Sequence, residues 1–291
     1  MAFSGLLSVA TESLLMPEIT VTVCHSAEAI PHAAWDRLCP PDDPFLNADF
    51  LAILEKHGPA GRAWGWVAQH LVATDTEGDV LGLLPLYFRF NSHGDFIRDW
   101  SWAAAYQQLG RVYYPKLLSG LPHTPAAGPR LLAIIGPDTA RIQQTLIDGA
   151  LALAEEHKAS SWHVAFPDEE NKAVLQNAGL LISHNVQFHW LNDGCGDFDG
   201  YLATFAAEKR RKVRAERRRV SESGLNIEIR HGDEVDSSEW SALHALYAST
   251  FEKFNNHAVF TAPCFAALAR ALGRRMVLFI ARAAGQPVSL S

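Results

Sequence analysis

Two clusters of ionisable and aromatic residues could do chemistry. The first lies in SHGDFIRDWSWAAAYQQLGRVYYPKL and the PHTPAAGPRLL that follows. It holds Trp100, Trp102, Tyr106, Tyr113 and Tyr114 among Asp95, Arg98, Asp99, Lys116 and Arg130. Aromatic bodies with polar tips, mixed with prolines and charged groups, line ligand clefts. The alternative is an aromatic core beneath a structured surface loop. The second cluster is EKRRKVRAERRR, residues 208–219, with eight of the chain's 25 lysines and arginines. Such a run is commonly a solvated helix face. Clustered cations also bind phosphate.

Helical phase refines the second cluster. At 100° per residue, Phe198, Leu202, Phe205, Val213 and Val220 share a stripe with Lys209 and Glu216, and Lys212 lies at its edge. Lys212 and Glu216 are four apart and can pair. Charges on an apolar stripe must be paired or face a polar cleft, so this phase predicts burial for Lys209 and Glu216. His189, in QFHW, reads as a packed strand histidine, with a ligand contact as the alternative. The 13 histidines show no metal-ligand spacing, and the four cysteines form no CxxC pair. Nucleophile-elbow, Walker and dinucleotide-binding signatures are absent from the sequence, as is a glycine-rich pyrophosphate loop.

The elements that must position these residues alternate. Residues 19–24 (ITVTVC), 66–74 and 80–90 have strand character, the last two flanking a turn at 75–79. Residues 47–57 form a helix with Asn47 as N-cap and Gly58 as C-cap. A strand at 130–135, a long helix at 138–157, a strand at 161–166, a helix at 168–177 and two short strands within 180–190 complete the first set. A helix at 198–220 then opens a second set: a strand at 225–230, helices at 237–254 and 262–272, and a strand at 276–281. The segment FLNADFLAILEKHG (residues 45–58) aligns without a gap on FTAPCFAALARALG (residues 260–273), which marks an internal repeat.

The expected fold is α/β, with two domains on mixed central sheets: a first at 17–190 and a second, apparently truncated, at 191–291 after the basic helix. Residues 1–16 read as a disordered extension or a mis-called start, since Met16 directly precedes the first strand. The element order resembles the GNAT acyltransferase fold. An incomplete second sheet would leave an edge open to self-association.

With 291 residues and 48% hydrophobic content, the chain can bury a sizeable core unaided. Its formal net charge of −7 predicts no global attraction to nucleic acid or anionic membrane. No apolar run is long enough for a membrane span, and scattered cysteines suit a reducing cytoplasm.

DWSWAAAY (residues 99–106), YYPKL (113–117), PHTPAAGPR (122–130), QFHW (187–190) and the FDGYLATF…KRRKVRAER stretch (198–217) together resemble the Fem-like proteins of peptidoglycan biosynthesis or recognition. The resemblance spans essentially everything after Met16. It implies two GNAT-like domains and transfer of an acyl or aminoacyl group to an amine, with a peptidoglycan precursor as a candidate acceptor. Members of that family continue past QPVSLS. In such a reaction Asp99, Lys116 and Glu216 are candidate catalytic residues. Trp100, Trp102, Tyr106, Tyr114, Arg130, His189, Lys209 and Lys212 are candidate substrate contacts. No permanently bound cofactor is expected; acyl-CoA or aminoacyl-tRNA would be the co-substrate. The competing reading is a non-catalytic module that recognises a peptidoglycan-type ligand. A third is an RNA-binding protein built on the basic helix.

Overall fold

A computed structural model describes residues 18–291. The described part opens with strand β1 (Thr20–Cys24) and two helices, α1 (His32–Leu38) and α2 (Ala48–His57). The Asn47 side chain accepts from the backbone N–H groups of Asp49 and Phe50, and Gly58 ends α2 at φ 102°. Each end is therefore satisfied as its residue type dictates. A long kinked hairpin follows. Its arms are β2 (Trp66–Ala68) with β3 (His70–Thr74), and β4 (Val80–Leu84) with β5 (Tyr87–Arg89). Both arms change sheet at the kink, where the Gln69 N–H donates to Leu86 O at 2.8 Å.

The connection to the next strand is partly helical: α3 (Trp100–Gln108) precedes β6 (Lys116–Ser119). Then come β7 (Leu132–Ala133), α4 (Thr139–Glu156), β8 (Trp162–Val164) and α5 (Glu169–Asn177). One sheet has the order β1-β3-β4-β7 and is antiparallel throughout. The other has the order β2-β5-β6-β8, with β6 and β8 parallel. The strand expected at 130–135 shrinks to two residues.

Side-chain alternation divides the core. Val72, Leu83, Tyr87 and Leu118 join Trp35, Phe50, Leu51 and Leu54 of α1 and α2 on one side. Leu71, Leu84, Phe88 and Leu117 join Ile142, Leu146 and Ile147 of α4 on the other. Gly82 lets α4 approach: a Cβ there would stand 2.5 Å from Ile142 Cγ2 and 2.8 Å from Leu132 O.

The second set begins with α6 (Phe198–Ala203) and α7 (Ala207–Glu222), so the single helix expected at 198–220 is broken at residues 204–206. Strands β9 (Asn226–His231), β10 (Val277–Ala283) and β11 (Gln286–Leu290) make an antiparallel sheet, with α8 (Trp240–Lys253) and α9 (Ala262–Leu272). Leu278 and Ile280 pack inward with Trp240 and Leu243. Their neighbours in the alternation, Ile227, Ile229, Val277 and Phe279, face outward and are exposed.

The two segments matched by the internal repeat meet: α9 packs on α2, and Cys264 and Leu268 share a core cluster with Leu51 and Leu54. Residues 180–197 hold no helix or strand and are mostly exposed. The two strands expected within 180–190 are therefore not formed.

Candidate functional site

The register of the β2-β5-β6-β8 sheet places Trp66, Arg89 and Lys116 in one row across three strands. The adjacent row on the same face is Ala68, Tyr87, Leu118 and His163. The opposite face is apolar, with Val67, Phe88, Leu117 and Trp162. Lys116 is thus carried to the buried face by alternation in YPKLLS.

Lys116 is fully buried, and three groups from the segment between β5 and α3 meet its ammonium. It donates to Ser92 Oγ at 3.0 Å, to Asp95 Oδ2 at 2.9 Å and to Asp99 Oδ2 over a short contact. A buried lysine persists as an ion only with such partners. The turn carrying the carboxylates is strained: Phe96 (φ 58°) and Arg98 (φ 59°) are left-handed without being glycine. Strain of this kind, on the order of 1–3 kcal/mol per residue, gathers at functional sites. Asp99 stands at the N-cap position of α3, but its carboxylate turns to Lys116 instead of capping.

The network continues outward. Tyr113 O–H donates to Asp99 Oδ2 at 2.6 Å, and its oxygen lies 3.3 Å from His163 Nε2. Ser161 Oγ lies 2.8 Å from the same nitrogen. Tyr114 O–H meets Ser92 Oγ at 2.8 Å. Burial pushes the Asp99 carboxyl up, but the hydrogen bonds of Lys116, Ser92 and Tyr113 outweigh it and bring the pKa down to about 2. Burial, then Asp99, raises the Tyr113 phenol far above its ordinary value. Burial, then the Lys116 charge, lowers the His163 imidazole. Tyr113 therefore stays a phenol and Asp99 a carboxylate. With the Tyr113 proton committed to Asp99, its oxygen can only accept from His163. Ser161 Oγ can accept from the same Nε2–H, and in that tautomer Nδ1 carries the lone pair. Asp99 Oδ1 is buried with no hydrogen-bond partner.

Beside this network, Arg89 stacks on Trp66 at 3.6 Å. It donates to the Gly65 and His93 carbonyls, both at 2.6 Å. Burial lowers its pKa to about 9. A second buried group, on the far side of Tyr87, is fully paired. Glu55 accepts from His70 Nε2 at 2.8 Å, Tyr87 O–H at 2.9 Å and Ala27 N–H at 2.8 Å, while His70 Nδ1 accepts from Leu86 N–H at 3.2 Å. With every polar atom engaged, that group holds α2 to the sheet.

Of the residues singled out in the sequence, the structure joins Asp99, Lys116 and Tyr114 directly. Tyr106 lies at the rim, its ring 5.1 Å from that of Tyr113. Trp100 and Trp102 project from α3 and are exposed, Trp100 against His93 with ring centroids 5.0 Å apart. Arg130 is elsewhere: fully buried, it donates to the carbonyls of Ala126, Pro129 and Ala165 and so ties down the 122–130 loop. The expected cleft of Asp99, Trp102, Tyr106, Lys116 and Arg130 is therefore not one surface. His189 is not a packed strand residue; it is exposed, with Gln187 as its partner at 3.2 Å.

The phase reading of the basic helix also fails. No residue of α7 is buried. Glu216 meets Lys212 at 4.0 Å on the surface, and Lys209 lies over the Phe205 ring at 4.2 Å. The stripe exists in the sequence, but it is not buried along α7. Ser92, Ser161 and His163 are the network members that the sequence reading passed over, and Asp95 and Tyr113 appeared in it only as members of the aromatic cluster. A lone lysine after proline in the apolar run YYPKLL was the available signal.

Helices on both faces of mixed sheets, with one polar sheet face around a buried lysine, define an α/β protein with a candidate active site on a strand surface. The model of the FemAB-like family, described as peptidoglycan biosynthesis/recognition, matches residues 26–291, and the chain belongs to that family. No curated protein matches the sequence. Among solved structures, an acetyltransferase of Trypanosoma brucei is similar over 60% of this chain and 100% of its own, at 11% identity and a TM-score of 0.33. Among the described residues, no helix is long and apolar enough to cross a membrane. None of their His, Cys, Asp and Glu side chains gather in a group of three or more able to hold a metal.

Proposed function

We propose that the chain transfers an acyl or aminoacyl group to the amine of a peptidoglycan-type peptide, through two GNAT-like units, with His163 as general base. The observation that carries this reading is the line Lys116–Asp99–Tyr113–His163. It runs from a fully buried ion pair to a half-buried imidazole on the edge strand β8.

An acceptor amine attacks the donor carbonyl only after losing a proton. His163 is neutral at pH 7, and its Nδ1 lone pair takes that proton. The imidazolium is then stabilised through Tyr113 by the fixed Asp99 carboxylate, and Lys116 keeps Asp99 ionised and in place. The new bond joins the amine nitrogen to the acyl carbon. The bond to the leaving group breaks, and that group departs as a CoA thiolate or a tRNA hydroxyl. Asp99, Lys116 and Tyr113 act here through His163 and are positioning residues. Glu216 shares no hydrogen bond with them and has no part in this chemistry.

Incubation with a lysine-containing stem peptide tests this, with labelled acetyl-CoA or charged tRNA as donor and mass spectrometry as readout. The expected result is a stem peptide heavier by one acyl or aminoacyl group. Transfer should be lost in His163→Gln, and in Tyr113→Phe, where the imidazolium loses its stabilising partner, the acid limb of the pH profile should move to lower pH. A recognition role is favoured by one observation, the exposed Trp100 and Trp102 on α3, since exposed aromatic surface marks binding sites. Binding of the stem peptide with no mass change under any donor would favour that role and overturn transfer.

A further inference from the structure

The basic helix and the segment before it form a surface that the proposed transfer site does not use. Residues 208–219 hold eight cations and two glutamates, a local net charge of +6 within a chain of net −7. Arg214 pairs with Asp199 at 3.1 Å, and Arg217 lies over the Phe198 ring at 4.1 Å. These contacts fix α7 to α6. Arg211, Arg218 and Arg219 are exposed, with no acidic partner among the described residues.

An apolar patch adjoins α6. Tyr201 of α6 meets Phe205 and Trp190 edge to face, with ring centroids 4.8 Å and 5.3 Å apart. Trp190 thereby joins the exposed Val186, Phe188 and Leu191 to the cationic helices. Phe188 is 95% exposed and Val186 82%. Cations beside solvent-facing aromatic and aliphatic side chains suit a bilayer interface: the cations reach lipid phosphates, and the apolar groups enter the acyl boundary. RNA would use the cations and the rings but has no place for Val186 and Leu191.

We propose that the α6–α7 surface, with the apolar residues 186–191 beside it, docks the protein on an anionic lipid bilayer. The acidic remainder of the molecule orients it, since this face carries the densest run of cations.

Co-sedimentation of the full chain with vesicles at roughly 0.1 M salt tests the proposal. The protein should pellet with vesicles containing about one third phosphatidylglycerol and stay in solution with pure phosphatidylcholine. The triple variant Arg211→Glu, Arg218→Glu, Arg219→Glu should lose about a hundredfold in vesicle affinity, with its circular dichroism unchanged. Trp190→Ser, which leaves the charge intact, should weaken binding by a smaller factor. Wild-type protein that ignores anionic vesicles overturns the proposal. So does a triple variant that pellets as the wild type does. Retention of bulk tRNA on a filter without vesicle binding assigns the surface to nucleic acid and likewise overturns it.

Discussion

Lys116 and Lys212 carry the same charge in opposite circumstances. Lys116 opens strand β6 ahead of two leucines, is fully buried, and answers to two carboxylates drawn from a strained turn. Lys212 sits in the densest charge run of the chain and touches a single glutamate at 4.0 Å, in water. Density of charge along a sequence marks solvated surface, because neighbouring cations cannot all be buried. A charge that matters to the interior arrives alone and finds its partners from other segments. The energetic contrast follows: a buried pair is costly to break, whereas a surface pair contributes little.

Removing each lysine is the strongest way to break this comparison. Lys116→Met should leave Asp95 and Asp99 without a counter-charge and cost about 3–5 kcal/mol in urea unfolding. Lys212→Met should leave the midpoint nearly unchanged. Equal shifts would mean that Lys116 is not the anchor described.

Acid sharpens the comparison next. Asp99 has its pKa lowered to about 2 in the fold. A depressed carboxyl stabilises above its unfolded pKa, near 3.9, and loses that contribution as pH falls toward 2. On the order of 2 kcal/mol should disappear between about pH 5 and pH 2. Thermal midpoints measured across that range should fall in the wild type and flatten in Asp99→Asn. An identical slope in both would remove Asp99 as the titrating group.

The smallest effect belongs to the helix. Glu216→Ala should change stability by less than about 0.5 kcal/mol, and raising the salt should shrink this difference further. A cost near that of Lys116→Met would show that the apolar stripe of α7 is buried after all.

The same contrast explains what the sequence revealed. Local rules sufficed for the capped helix α2 and for both arms of the hairpin, because Asn47, Gly58 and the alternation near Trp66 and Val80 act within a few residues. Asp99 and Lys116 stood out as ionisable groups in an aromatic segment, 17 positions apart. Their link to His163 depends on parallel pairing of β6 with β8, 47 positions beyond Lys116, which no local pattern encodes. Arg130 misled because its neighbours along the chain suggested a cleft, while its carbonyl partners are Ala126 and Pro129 of its own loop and Ala165 just after β8. Lys209 and Glu216 misled because helical phase says which residues share a side and nothing about whether another element covers it. The strand-like run at 180–190 failed similarly: β-branched and aromatic residues favour strands only where a neighbouring strand receives them.

The packing of α2 on α9 can finally be restated as a matter of time. The two matched segments lie about 215 positions apart, so α2 leaves the ribosome long before its cover exists. At about 5–20 residues per second, α2 waits on the order of 10–40 s for α9 to emerge. Throughout that interval the surface that α9 will cover is open to chaperones and to other nascent chains. The contact that joins the two matched segments thus forms only after every element of the first set has emerged.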